Sequence, residues 1–261
     1  MSAPPYTTQL QAGLGLVAET KALLEVWSPE MTISGLHSAA LESGRFPNVT
    51  ARRLRNIVSE CFAPRYLVSD GAPARQLKAL APQLPPSDFS QLLMVYTCRA
   101  NPILRDFISE VYWERFAAGF KEISTADARA FVERAVDDGK TSKRWSETTT
   151  RRVSAYLTGC CADYGLLERG AKSKRKIMPF RISQRALTYF AFELHLQGVP
   201  DNALLNHPDW RLFGLERSDV LAEMKRLAKT GVFVIQSAGE VVRIGWKKST
   251  LEELRDVLVE G

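Results

Sequence analysis

The chain is predicted to be mainly α, with helical N-terminal and central parts followed by two winged-helix-like units that carry short β-hairpins. Three observations predict this class. Apolar residues recur at three- and four-residue intervals through most of the first half. The second half twice shows one order of signals: a periodic helix closed by glycine, a β-prone run, a turn and a second β-prone run. No apolar run approaches the roughly 18–20 residues that cross a membrane, so these stripes must meet each other in a core.

Residues 1–68 are read as an N-terminal helical domain. Thr7 or Thr8 is placed to cap a helix whose stripe includes Leu10, Leu14, Val17 and Leu24 and which ends before Pro29. A short helix over 33–41 follows. Thr50 then caps a helix with Leu54, Ile57, Val58, Cys61 and Phe62 inward and Arg52, Arg53 and Arg55 on its other face. This pair is either helix-turn-helix-like and reads DNA, or one hairpin of a helical bundle with a solvated face. Residues 69–87, with four prolines, read as a linker. Together with helices divided at Asn101-Pro102 they make a linker-and-central segment, 69–123.

Residues 124–198 are the first winged-helix-like unit. Ser124 caps a helix ending at Asp138-Gly139, and a second helix over 146–164 turns Val153, Tyr156, Leu157, Cys160 and Tyr164 to one side. Its other side carries Ser154, Ala155, Thr158, Gly159 and Ala162, small enough for close approach of a groove or of another helix. Gly165 closes the helix, Leu166-Leu167 opens a strand, and 177–182 returns. Residues 199–261 repeat the order. Ser218 caps a helix with Leu221, Met224, Leu227 and Ala228 inward, Gly231 ends it, and 232–236 and 241–246 form a hairpin around Ala238-Gly239.

Charge separates the two copies. Net charge is +6, yet between Lys140 and Phe190 twelve Lys/Arg face only Glu147, Asp163 and Glu168, so that segment carries +9. A polyanion is therefore expected to bind there. Lys172, Lys174, Arg175 and Lys176 form the tip of the first hairpin, where cations serve phosphate contacts. Lys143 and Arg144 precede the helix over 146–164, and Arg151 and Arg152 lie in its first turns, where hydroxyls and a positive helix end suit a phosphate. The plain alternative is a solvated loop and an ordinary cap. The second hairpin turn, 236–240, is uncharged or acidic, which suits interaction or stability instead.

Several chemistries are excluded. Cys61, Cys98, Cys160 and Cys161 contain no CxxC pair, and His37, His195 and His207 lie far from them, so neither a zinc site nor a disulfide framework is expected and the cytoplasm is. Pro208-Asp209 followed by Glu223-Met224-Lys225 fits the string of a restriction-type nuclease. That chemistry needs the acids and lysine on adjacent strands around a divalent metal. Glu223 and Lys225 lie two apart in a periodic helix, roughly 200° around its axis. Gly13-Leu14-Gly15 has no preceding strand and is no phosphate loop. No enzyme, cofactor, membrane contact or small-molecule substrate is expected.

The stretches TTQLQAGLGLVAETKALLEVW, GRFPNVTARRLRNIVSECFAPRYL and RSDVLAEMKRLAKTGVFVIQSAGEVVRIGW together resemble the BrxA family, small accessory proteins of BREX bacteriophage-exclusion systems. The resemblance implies a cytoplasmic, mainly helical, DNA-binding protein encoded beside a methyltransferase, an ATPase and other defence components. It carries no site motif, so the candidate residues rest on charge placement. The expectation is a non-enzymatic protein that binds double-stranded DNA mainly through backbone phosphates. The alternative is a protein–protein adaptor that scaffolds other BREX proteins, with DNA affinity incidental.

Overall fold

The computed structural model describes residues 5–170 and 173–260. Helices dominate, with two small antiparallel strand pairs, as the sequence predicts. The chain divides into two compact units: residues 1–79 with 93–180, and residues 80–92 with 181–261.

In the first unit a 3-10 turn, Gln9–Ala12, precedes α1 (Val17–Val26) and α2 (Ile33–Glu42). The single helix expected from Thr7 or Thr8 is thus broken, and Thr8 makes no side-chain cap bond. The interruption, Gly13-Leu14-Gly15, lets the backbone close on a distant helix. Gly15 N donates to Asp163 Oδ2 at 2.9 Å, where any β-carbon would come to 2.5 Å from Asp163 Cβ. Thr50 caps α3 (Ala51–Asn56) by accepting from Arg53 N at 3.2 Å. That helix continues through a π-helical turn, Ile57–Phe62, into α4 (Ala63–Tyr66).

The expected linker is largely helical. α5 (Val68–Leu80) bends through three left-handed residues, Ser69, Asp70 and Gly71. Gly71 suits that bend because a β-carbon would come to 2.9 Å from the Trp27 ring. α6 (Pro86–Ala100) and α7 (Pro102–Phe107) meet at Asn101-Pro102, and α7 runs through a π-turn, Ile108–Tyr112, into α8 (Trp113–Ala117). Leu24, Val58, Tyr66, Leu104, Phe107, Tyr112, Val132 and Leu157 are buried in the core of this unit.

Next come β1 (Glu122–Ser124), α9 (Thr125–Asp137), α10 (Glu147–Asp163) and β2 (Lys174–Lys176). β1 pairs antiparallel with β2, setting Glu122 opposite Lys176 and Ser124 opposite Lys174. Past its end, the other edge meets residues 166–168: Glu168 N donates to Lys176 O and Met178 N to Leu166 O, both at 2.9 Å. The returning strand therefore begins at Lys174, three residues before the expected 177–182. It also gains a partner, β1, too short to show a period in sequence.

In the second unit, α11 (Gln184–Leu196) packs on α12 (Asp201–Leu205), α13 (Arg217–Ala228) and α14 (Leu251–Glu260). β3 (Phe233–Ala238) and β4 (Val241–Trp246) pair along their whole length. Glu216, rather than Ser218, caps α13, in a reciprocal box with Asp219. The expected segment 124–198 is divided between the units. Its α11 belongs to the second, where Phe190 meets Phe213 and Phe192 meets Trp246.

Candidate nucleic-acid interface

The start of α9 organises the basic strand. Ser124 and Asp127 form a capping box, and Thr125 N donates to Ser173 O at 2.8 Å, tying the helix to the residue before β2. Along β2 the side chains alternate. Lys174 and Lys176 are exposed, whereas Arg175 is half-buried and donates through Nη1 to Glu168 O at 3.0 Å. Arg175 also lies close enough to Cys161 to pull its thiol downward. Burial outweighs that pull and leaves the thiol well above its ordinary range. So Arg175 braces the ribbon while its two neighbours face solvent. Lys172, the remaining member of the expected tip, lies outside the described residues.

Ser146 caps α10, accepting from Thr149 N at 3.3 Å and meeting Thr149 Oγ1 at 3.0 Å. Arg151 and Arg152 are exposed in the first turns, with Arg152 Nε donating to Tyr156 at 3.3 Å. Lys143 and Arg144 are exposed before the helix, and Arg144 reaches Asp137 at 3.4 Å. Glu147, the acid in the first turn, is drawn toward Arg129 on α9. Among the described residues, no ion pair engages Lys143, Arg151, Lys174 or Lys176.

The small-residue side of α10 serves the protein itself. Ser154, Thr158, Gly159 and Ala162 are buried, and Leu14 fills the space over Gly159. Tyr164 OH donates to Gly15 O at 3.2 Å, and Arg65 donates to Gly13 O and Leu14 O at 2.8 and 2.9 Å. Of the two readings the small residues allowed, close approach of another segment is the one realised. One face of the opening turns of α10 stays open, with Thr148, Arg151, Arg152 and Ala155 exposed.

On α3, Arg52 and Arg55 are exposed, but Arg53 is half-buried and donates to Ala12 O. Sequence reasoning passed over Arg65, only 2% exposed. Its position four residues after Cys61, on the apolar stripe of that helix, was the available signal. Lys121, exposed beside β1, was also missed, since nothing local marks it as the neighbour of Ile177.

The nuclease string is not assembled. Glu223 lies on α13 between Arg181 Nη2, at 2.5 Å, and Arg226, while Asp209 sits in the 3-10 turn Pro208–Phe213. Among the described residues, no three His, Cys, Asp or Glu converge as a metal site, and no helix is long and apolar enough to cross a membrane. The second unit holds a cavity of about 350 Å³ at the start of α11. Its Arg185 is engaged with Asp88 and with Leu258 O.

These features define a mainly helical protein with exposed cations on one short strand and on the opening turns of one helix. Residues 4–193 match the BrxA family model, and the chain belongs to the BrxA family of BREX systems. That family comprises accessory proteins and is not a known enzyme family. The match ends within α11, so α12 to α14 and the β3–β4 hairpin lie beyond it. A crystal structure of an uncharacterized protein from Magnetospirillum magneticum is similar in fold, with TM-score 0.59 and 14% identity, covering 80% of this chain and 98% of that one. No curated protein matches.

Proposed function

We propose that this BrxA-family protein is a non-enzymatic, cytoplasmic DNA-binding component of a BREX system, holding double-stranded DNA mainly through backbone phosphates. The observation that carries this reading is the set of solvent-facing cations that have no ion-pair partner among the described residues: Lys174 and Lys176 on β2, with Lys143 and Arg151 at the start of α10. Such charges supply sequence-independent, salt-dependent affinity. The order β1, α9, α10, ribbon supports a winged-helix reading. In the helix-turn-helix class it is the N-terminal residues of the recognition helix that reach base edges, and those are the turns of α10 with an open face. Arg144 and Arg152 extend the surface, and Arg52 and Arg55 offer a second one.

A salt titration of duplex binding tests it. With four to six phosphates neutralised, log K falls against log[salt] with a slope of about −4 to −5. A slope near zero, or one that survives removal of all these cations, sinks the reading. The adaptor alternative is favoured by Val234 and Val241, 49% and 59% exposed on the second hairpin. It predicts duplex affinity too weak to measure at physiological salt alongside stable association with another BREX protein.

A further inference from the structure

We propose that the outer face of the β1–β2 ribbon holds an unpaired stretch of DNA, with its phosphates on Lys174 and Lys176 and its bases against Phe120 and Phe116. This rests on the DNA-binding reading above and adds a class of substrate to it.

The alternation that sends Arg175 inward sends Lys174, Lys176 and Met178 to one exposed face. Those residues form a line roughly 14 Å long at strand spacing. Ile177 N donates to Lys121 O at 2.9 Å, extending the pairing with β1 by one residue and bringing Phe120 to the Met178 end. There the surface changes character: Phe120 is 54% exposed, Phe116 43% and Met178 39%. Glu122, opposite Lys176, lies on this face, whereas Lys121, opposite Ile177, falls on the other.

The rings are exposed but not loose. The Arg115 guanidinium lies 4.7 Å from the Phe120 ring centre and is itself held by Asp127 at 2.6 Å, the acid of the α9 capping box. One face of Phe120 is therefore covered by a fixed cation and the rest of the ring is open. Phe116 stacks on Tyr112 at 6.3 Å and meets Trp113 edge-on at 5.3 Å, while Tyr112 OH donates to Met178 O at 3.0 Å. Rings fixed beforehand lose little freedom when a base stacks on them. Bases inside a duplex present no free face, whereas those of a single strand do. Aromatic rings beside lysines are the means by which proteins hold single strands without reading sequence. That combination of charge and ring favours a nucleic-acid strand over an apolar protein partner.

The test is fluorescence anisotropy with the full chain and three labelled oligonucleotides of one sequence: a duplex, a single strand, and a duplex with an unpaired bubble. Phe116→Ala with Phe120→Ala is expected to weaken the single strand and the bubble by about tenfold or more, leaving the duplex within about twofold. Phe120→Leu, which keeps an apolar side chain and removes the ring, is expected to weaken the same two ligands. Phe120→Trp is expected to retain them, and this pair decides the matter if the double variant does not fold. Equal losses on all three ligands, or none on the single strand, overturn the proposal. So does a wild-type chain that binds duplex but no single strand, an outcome that leaves the duplex reading standing. Failure to bind any of the three removes both.

Discussion

Gly159 of α10 stands directly against Leu14: a β-carbon there would come to 2.8 Å from Leu14 Cδ1. The N-terminal segment thereby lies on the side of α10 that its small residues had left open to a groove. Leu14 Cδ1 is the free end of a flexible side chain, so Gly159→Ala is expected to stay within about 1 kcal/mol of the native stability, helped by helix propensity. Gly159→Leu overfills the contact and is expected to cost about 1–3 kcal/mol in urea unfolding.

The Arg65 guanidinium also fixes this segment by donating to Gly13 O and Leu14 O. Arg65→Met leaves two carbonyls without their charged donor and is expected to cost about 3 kcal/mol. A urea midpoint equal to that of the native chain contradicts this.

Arg175 and its neighbours separate cleanly. Lys174→Ala with Lys176→Ala removes two outward cations and is expected to flatten the salt slope of duplex binding by roughly 2, with the thermal midpoint nearly unchanged. Arg175→Ala removes the bond to Glu168 O and is expected to lower the midpoint while leaving the slope within about 1. If Arg175→Ala flattens the slope as much as the lysine pair does, the inward placement is not retained in solution.

Burial works to raise the Glu223 carboxyl, but the hydrogen bonds from Arg181 and Arg226 outweigh it and hold its pKa below the usual range. A depressed carboxyl contributes stability above its unfolded pKa of about 4.3 and loses it as pH falls through the lower folded value. Glu223→Gln is expected to cost about 1 kcal/mol or less at pH 7, since Arg181 is 71% exposed, and to reduce the loss of stability on acidification. The check is urea unfolding at pH 7, 5 and 3.5.

Burial pushes the Cys160 thiol up to about 12 and raises those of Cys61 and Cys161 as well. At pH 8 these three are expected to resist Ellman's reagent in the folded chain and to react rapidly in urea. Rapid labelling of Cys160 in the native protein argues against the contact between the N-terminal segment and α10.

Legibility in the sequence followed the range of the interactions. The mainly α class, the caps at Thr50 and Ser124, the stops at Gly165 and Gly231, and the concentration of charge after Lys140 were all determined by residues a few positions apart. Local spacing expresses such features directly, because a cap satisfies backbone groups within one turn. Three-dimensional packing alone decided the rest. β1 meets β2 across some fifty residues, Gly15 meets Asp163 across 148, and the choice between Arg175 inward and Lys174 outward rests on that pairing. In Lys174-Arg175-Lys176 every residue is basic, so the period-two alternation of the strand leaves no trace in hydropathy. Only burial against Cys161 and Glu168 distinguishes the brace from the two lysines that face solvent.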